Sequence, residues 1–175
     1  SMAAIIGLDA EAVAKLCEDA AEGEVCEPAN DNGGGQIVIS GNAAAIDRAI
    51  ALAQERGAKR ALPLSVSAPF HCRLMQPAAD AMAEALKAIE IKAPVVPVVA
   101  NISASPTSDP DMIRKNLVDQ VTGRVRWTES VQFMVGKGVT TTGEAGAGKV
   151  LTVMQRRIEK SLNGFTLGTP EDLEA

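Results

Sequence analysis

Residues 2–8, MAAIIGL, form a short apolar run that suits a strand, and the next segment changes period. In LDAEAVAKLCEDA the apolar positions Val13, Leu16, Cys17 and Ala20 recur at helical spacing behind Asp9, a side chain suited to capping a helix. EVCEPAN and GQIVISG flank the turn-rich DNGGG and predict a hairpin. Asn42 then stands as N-cap of AAAIDRAIALAQER, which Gly57 stops, and KRALPLSV supplies a fourth strand. Strand, helix, strand, strand, helix, strand over residues 3–66 is the order of a ferredoxin-like split unit.

The second half alternates differently. A helix is expected to open near Leu74, with Pro77 in its first turn and Leu74, Ala78, Met82, Leu86 and Ile89 along one face. PVVPVVAN reads as a buried strand. Asp109 and Pro110 sit at N-cap and first helical position of DMIRKNLVDQV, and Thr128 is placed to cap a helix carrying Val131 and Met134. VTTTGEAGAG predicts a strand entering a Gly-rich turn, followed by the helix KVLTVMQRRIEKSL and a short strand near GFTLG. This α/β alternation predicts a largely parallel sheet.

Composition narrows the partners. With 46% apolar and 22% charged residues, the 175-residue chain has the balance of a soluble globular domain. Twenty-two acidic against 17 basic residues leave no basic face for phosphate backbones, and the four aromatics (Phe70, Trp127, Phe133, Phe165) are too scattered to stack bases. Nucleic acid and membrane are therefore not expected as partners, since no apolar run approaches the ~18 to 20 residues of a span. Cys17, Cys26 and Cys72 are odd in number and lack a C-x-x-C pair, which predicts reduced cytosolic thiols rather than disulfides or a zinc site. Ser1-Met2 reads as a tag scar followed by an initiator, so the native chain is expected to begin elsewhere.

His71, the only histidine, lies in SAPFHCRLM and is the side chain best suited to move a proton near neutral pH. GEAGAGKV approaches the phosphate-cradling pattern G-x-x-x-x-G-K-[ST] but puts Val150 where a hydroxyl should bind magnesium; a tight turn is the simpler reading. NDNGGGQ could hydrogen-bond a polar ligand or merely turn a hairpin, and the turn requires no ligand. Cys72, beside His71, reads as packing rather than nucleophile, and no G-x-S-x-G elbow for an acyl-transferring serine occurs.

The blocks MAAIIGLDAEAV, EPANDNGGGQIVISGNAAAIDRA, GAKRALPLSVSAPFHCRLMQPAAD, LVDQVTGRVRWTESV and GAGKVL, in this order, closely resemble the bacterial malonyl-CoA:acyl carrier protein transacylases of fatty acid synthesis. The resemblance covers essentially the whole chain but only the C-terminal part of that family's enzyme. It implies a ferredoxin-like βαββαβ insert at residues 3–66 and the C-terminal portion of a hydrolase-like α/β domain at residues 67–175. The family's oxyanion-loop glutamine, its G-H-S-x-G serine and its malonate-clamping arginine precede the insert and have no counterpart here.

The family's reaction is ping-pong acyl transfer from malonyl-CoA through a serine to the pantetheine thiol of acyl carrier protein, without a cofactor or metal. By resemblance His71 is the base, Gln120 the residue whose backbone carbonyl orients its ring, and Phe70 the aromatic of malonyl-selective members, with ordinary packing as its bland alternative. Asn30, Asn32 and Gln36 fall where the family lines the pantetheine entrance. A histidine just before a helix N-terminus is further expected to feel the positive dipole end, which disfavours imidazolium. Ala147 and Gly143 depart from the family and are expected to loosen the Gly-rich segment by ~0.5 to 1 kcal/mol. The expectation is a cytoplasmic transferase represented by a piece inactive alone, which self-associates through exposed apolar sheet surface. The alternative is a noncatalytic module binding coenzyme A or acyl carrier protein; a P-loop ATPase is a third reading.

Overall fold

The computed structural model describes residues 1–173. β1 (Met2–Ile6), β2 (Cys26–Asp31), β3 (Gln36–Gly41) and β4 (Arg60–Pro63) pair antiparallel in the order β4-β1-β3-β2, with α1 (Ala10–Ala21) and α2 (Ala43–Glu55) in the connections. This is the ferredoxin-like unit expected from the sequence. Strand alternation sends Ala3, Ile5, Ile37 and Ile39 to the face covered by Val13, Leu16, Cys17 and Ala20 of α1 and Ala45, Ile46, Ala49 and Ala53 of α2. Met2, Ala4, Ala29 and Val38 form a smaller cluster of buried residues. Each fully buried Ile or Leu in the main cluster contributes roughly 1.5 to 3 kcal/mol.

Local chemistry closes the elements, though not always as expected. Asp9 accepts the Ala12 N–H at 2.8 Å and caps α1 as predicted. Asn42 does occupy the N-cap of α2, but its Oδ1 accepts the Val25 N–H at 2.8 Å and so secures the start of β2 instead of its own helix. Gly33, Gly34 and Gly35 turn the hairpin with φ of +77°, +62° and +74°, a left-handed run that only glycine adopts readily.

After β4 the chain forms a 3-10 turn (Arg73–Met75), α3 (Gln76–Lys87), β5 (Val98–Ala100), β6 (Ser105–Thr107), α4 (Pro110–Thr122), β7 (Val125–Arg126), α5 (Trp127–Gly136), β8 (Thr141–Ala145), α6 (Val150–Ile158), β9 (Asn163–Leu167) and a closing 3-10 turn (Pro170–Leu173). The pairing is mixed: β8–β9 and β7–β2 are parallel, whereas β5–β6 is antiparallel. The predicted faces fare less well. On α3 only Ala79 and Leu86 are buried, while Leu74, Met82 and Ile89 are exposed. PVVPVVAN is a strand only at its end, with Val95 wholly exposed and Val96 at 69%. Helical and strand periods identify a face; they do not supply the neighbour that would cover it.

The ferredoxin-like unit is tied to the rest along β2. Asn30 and Asp31 pair with Val125 and Arg126 of β7, and the Thr128 hydroxyl donates to the Asp31 carboxylate at 2.7 Å. Thr128 therefore reaches across to another element; the N-cap of α5 is Arg126.

Candidate active site

His71 lies on the segment between β4 and the first 3-10 turn, outside both core clusters. It is half-buried and has φ +60°, a left-handed backbone conformation that costs a non-glycine residue roughly 1 to 3 kcal/mol. Its Nδ1 lies 3.0 Å from the Gln120 carbonyl oxygen. A carbonyl only accepts, so this contact requires Nδ1–H and leaves the Nε2 lone pair free when the ring is neutral. Gln120 lies in the last turn of α4, where carbonyls lack intrahelical partners, which is why its oxygen is available. Its side chain folds back instead, donating through Nε2 to Gly123 O at 2.8 Å.

The expected field at His71 needs correcting. The ring meets the carbonyl end of α4, and α3 begins only at Gln76, beyond the 3-10 turn. The Arg73 N–H that opens that turn is already taken by the Glu27 carboxylate at 3.0 Å. Tautomer selection by a carbonyl, not the positive end of a helix, orders this imidazole. Cys72 is fully buried and its thiol donates to Pro69 O at 3.2 Å, a packing role beneath the same turn.

The other sequence candidates scatter. Phe70 is 40% exposed. Asn32 and Gln36 come together on a groove of about 480 Å³ between the sheet and α6, which Leu64, Val153, Lys149 and Arg157 also line. Asn30 pairs with β7 and is not among the groove's lining residues. Gly33 and Gly34 fit the hairpin onto α6, since a Cβ on Gly33 would lie 2.3 Å from Ile158.

GEAGAGKV is a turn whose anion position is filled from within. The Glu144 carboxylate accepts the Leu151 and Thr152 N–H groups of α6 at 3.0 and 2.8 Å, the place a phosphate would occupy in a nucleotide loop. The Thr152 side chain first, and then these main-chain donors, hold the Glu144 carboxyl below its usual range. Its contribution to stability is therefore present above the ordinary glutamate range and is lost as pH falls through the lowered folded value. Urea midpoints of Glu144→Gln are expected to lie below wild type at pH 7 and to converge with it in acid; parallel curves at both pH values would contradict this. Gly143 also proves less of a weakness than expected, because the Phe165 ring covers it and a Cβ there would lie 2.9 Å from Phe165 Cζ.

A feature the sequence reading missed is a mostly apolar slot of about 320 Å³ between β5, α5, β8 and α6 that holds a few polar atoms. Asn101 Oδ1, Trp127 Nε1 and Gln155 Nε2 all belong to residues lining it, and among the described residues none of these buried atoms has a hydrogen-bond partner. No sequence pattern marks such convergence, since each residue comes from a different element. No helix among the described residues is long and apolar enough to cross a membrane, and no cluster of three metal-ligating side chains occurs among them.

A neutral histidine held as its Nδ1–H tautomer by a main-chain carbonyl has Nε2 free to accept a proton, and here it stands beside a ferredoxin-like unit. Comparison with known proteins shows that the chain is similar over its whole length to malonyl-CoA:acyl carrier protein transacylases. It is 49% identical over 175 residues to the malonyl CoA-acyl carrier protein transacylase of Escherichia coli strain K12, covering all of this chain and 57% of that protein. The crystal structure of the acyl-carrier-protein-S-malonyltransferase from Bartonella henselae superposes with a TM-score of 0.95 at 55% identity, over 99% of this chain and 55% of that one. A malonyl-transacylase in complex with its type II PKS acyl-carrier protein gives 0.94 at 42% identity, over 99% of this chain and 56% of that one. No family model matches the chain. The chain thus spans little more than half the length of the relatives it matches.

Proposed function

We propose that these 175 residues carry the base of a malonyl-CoA:acyl carrier protein transacylase of fatty acid synthesis, working in the cytoplasm without a cofactor. The observation that carries the reading is the contact of His71 Nδ1 with Gln120 O at 3.0 Å, made by a residue strained to φ +60°. A neutral imidazole so held presents Nε2 to take the proton of a serine hydroxyl as it attacks the malonyl thioester. The resulting imidazolium returns that proton to the departing coenzyme A thiolate, and the sequence repeats in reverse with the carrier protein's pantetheine thiol. The serine and the oxyanion donors belong to the portion of the relatives' length that this chain does not span. Phe70 contributes malonyl selectivity, and Asn32 and Gln36 line the pantetheine approach with Asn30 behind them. The unpartnered polar atoms of Asn101, Trp127 and Gln155 support a seat for that remaining portion in the slot, where two short sheets present open edges.

The chain alone is therefore inactive and self-associates through the uncovered apolar positions. Both points are checked by mixing it with the uncovered portion of the Escherichia coli relative: malonyl transfer is expected only in the mixture, and sedimentation should show the oligomers of the lone chain giving way to a one-to-one pair. Transfer by the chain alone, or an inert mixture that has formed the pair, would sink the reading. Coenzyme A binding by the chain without any transfer in the mixture would instead favour a noncatalytic module, for which the 480 Å³ groove offers the room.

A further inference from the structure

The turn that carries His71 is fastened from three directions. Below, the Cys72 thiol donates to Pro69 O at 3.2 Å; beside the ring, Gln120 O receives Nδ1–H at 3.0 Å. Both contacts come from residues 67–175. The third comes from the ferredoxin-like unit: Glu27 of β2 accepts the Arg73 N–H through Oε2 at 3.0 Å, and its Oε1 lies 3.3 Å from Arg73 Nε. One carboxylate thus grips both the backbone and the guanidinium of the residue two places after His71. Glu27 also answers the first free N–H of the 3-10 turn, a charge-assisted bond of the stronger kind.

We infer that Glu27 is a positioning residue for His71, so that the small unit sets the orientation of the base. The inference rests on the reading of His71 as that base. The physical route is short. A left-handed residue returns to an extended or right-handed conformation unless its neighbours prevent it. Arg73 N–H fixes the peptide that follows Cys72, whose own backbone is extended at φ −138° and ψ 169°. If Glu27 releases Arg73, the turn can relax, and the ring moves away from Gln120 O.

His71 is the only histidine, so its ring nitrogen frequencies, read through the carbon-bound ring protons, report its tautomer without ambiguity. Wild type is expected to hold the Nδ1–H form. Glu27→Ala should shift the tautomer ratio about tenfold toward Nε2–H, the scale of one lost charge-assisted hydrogen bond. Glu27→Gln, which keeps an acceptor for the Arg73 N–H, should shift it less and in the same direction. A wild-type ratio in Glu27→Ala overturns the inference, and if that variant does not fold, a wild-type ratio in Glu27→Gln does so. Because this readout needs no turnover, a failed transfer assay and a failed tether are told apart.

Discussion

Alanine in place of His71 is expected to lower malonyl transfer by the reconstituted pair about a thousandfold, with the pair still forming. General-base catalysis supplies factors of roughly 10² to 10⁴, and a site that also loses the acid returning the proton to the leaving thiolate belongs well inside that range. The loss should fall on kcat more than on KM, since in the proposed reaction Nε2 acts on the reacting hydroxyl and not on the bound coenzyme. Alanine at φ +60° is itself strained, so folding must be checked beside turnover by the thermal midpoint. Transfer by the variant within a few-fold of wild type would remove His71 from the chemistry and leave its contact with Gln120 as a structural one.

The largest stability effect is expected at Gly41, the last residue of β3. A Cβ there would lie 1.9 Å from the Val25 carbonyl oxygen and 2.7 Å from its carbon, with Cys26 Cα at 3.0 Å. All three are backbone atoms, which cannot rotate aside as a side chain would. Relief requires β2 and β3 to part at the end where Cys26 faces Gly41 and where the Ser1 ammonium donates to Gly41 O at 2.8 Å. Gly41→Ala should cost about 3 kcal/mol or more, at the upper end of overpacking losses. Gly35→Ala provides the comparison: φ is +74° but nothing lies within 4 Å of the added carbon, so only the backbone cost of about 1 kcal/mol applies. Urea unfolding measures both, and equal losses would mean that the close approach at Gly41 is easily relieved.

The ferredoxin-like unit could be read from the sequence because both partners of each contact in its core lie within it. Val13, Leu16, Cys17 and Ala20 predict a buried stripe, and the strands that bury it lie within the same sixty residues. The later helices have periods just as regular, yet Met82 and Ile89 stay exposed because nothing in the described residues lies over them. Capping was ambiguous for another reason. Asn42 and Thr128 have oxygens that can serve a local N–H or a distant group, and in both cases the distant group won: Val25 for one, Asp31 for the other. At the site, His71 and Gln120 came through the family resemblance, as their spacing of 49 residues carries no local signal. Glu27 was invisible because its partner, Arg73, lies 46 residues away and neither has a periodic or motif signature.

The attachments of the small unit to the later elements gather in a short piece of chain: Glu27 on Arg73, Asn30 and Asp31 on β7, Gly33 against Ile158 and Gly34 against Arg157. Since α6 and the sheet form opposite walls of the groove, the seam at residues 27–34 is the spine that fixes how far apart those walls stand.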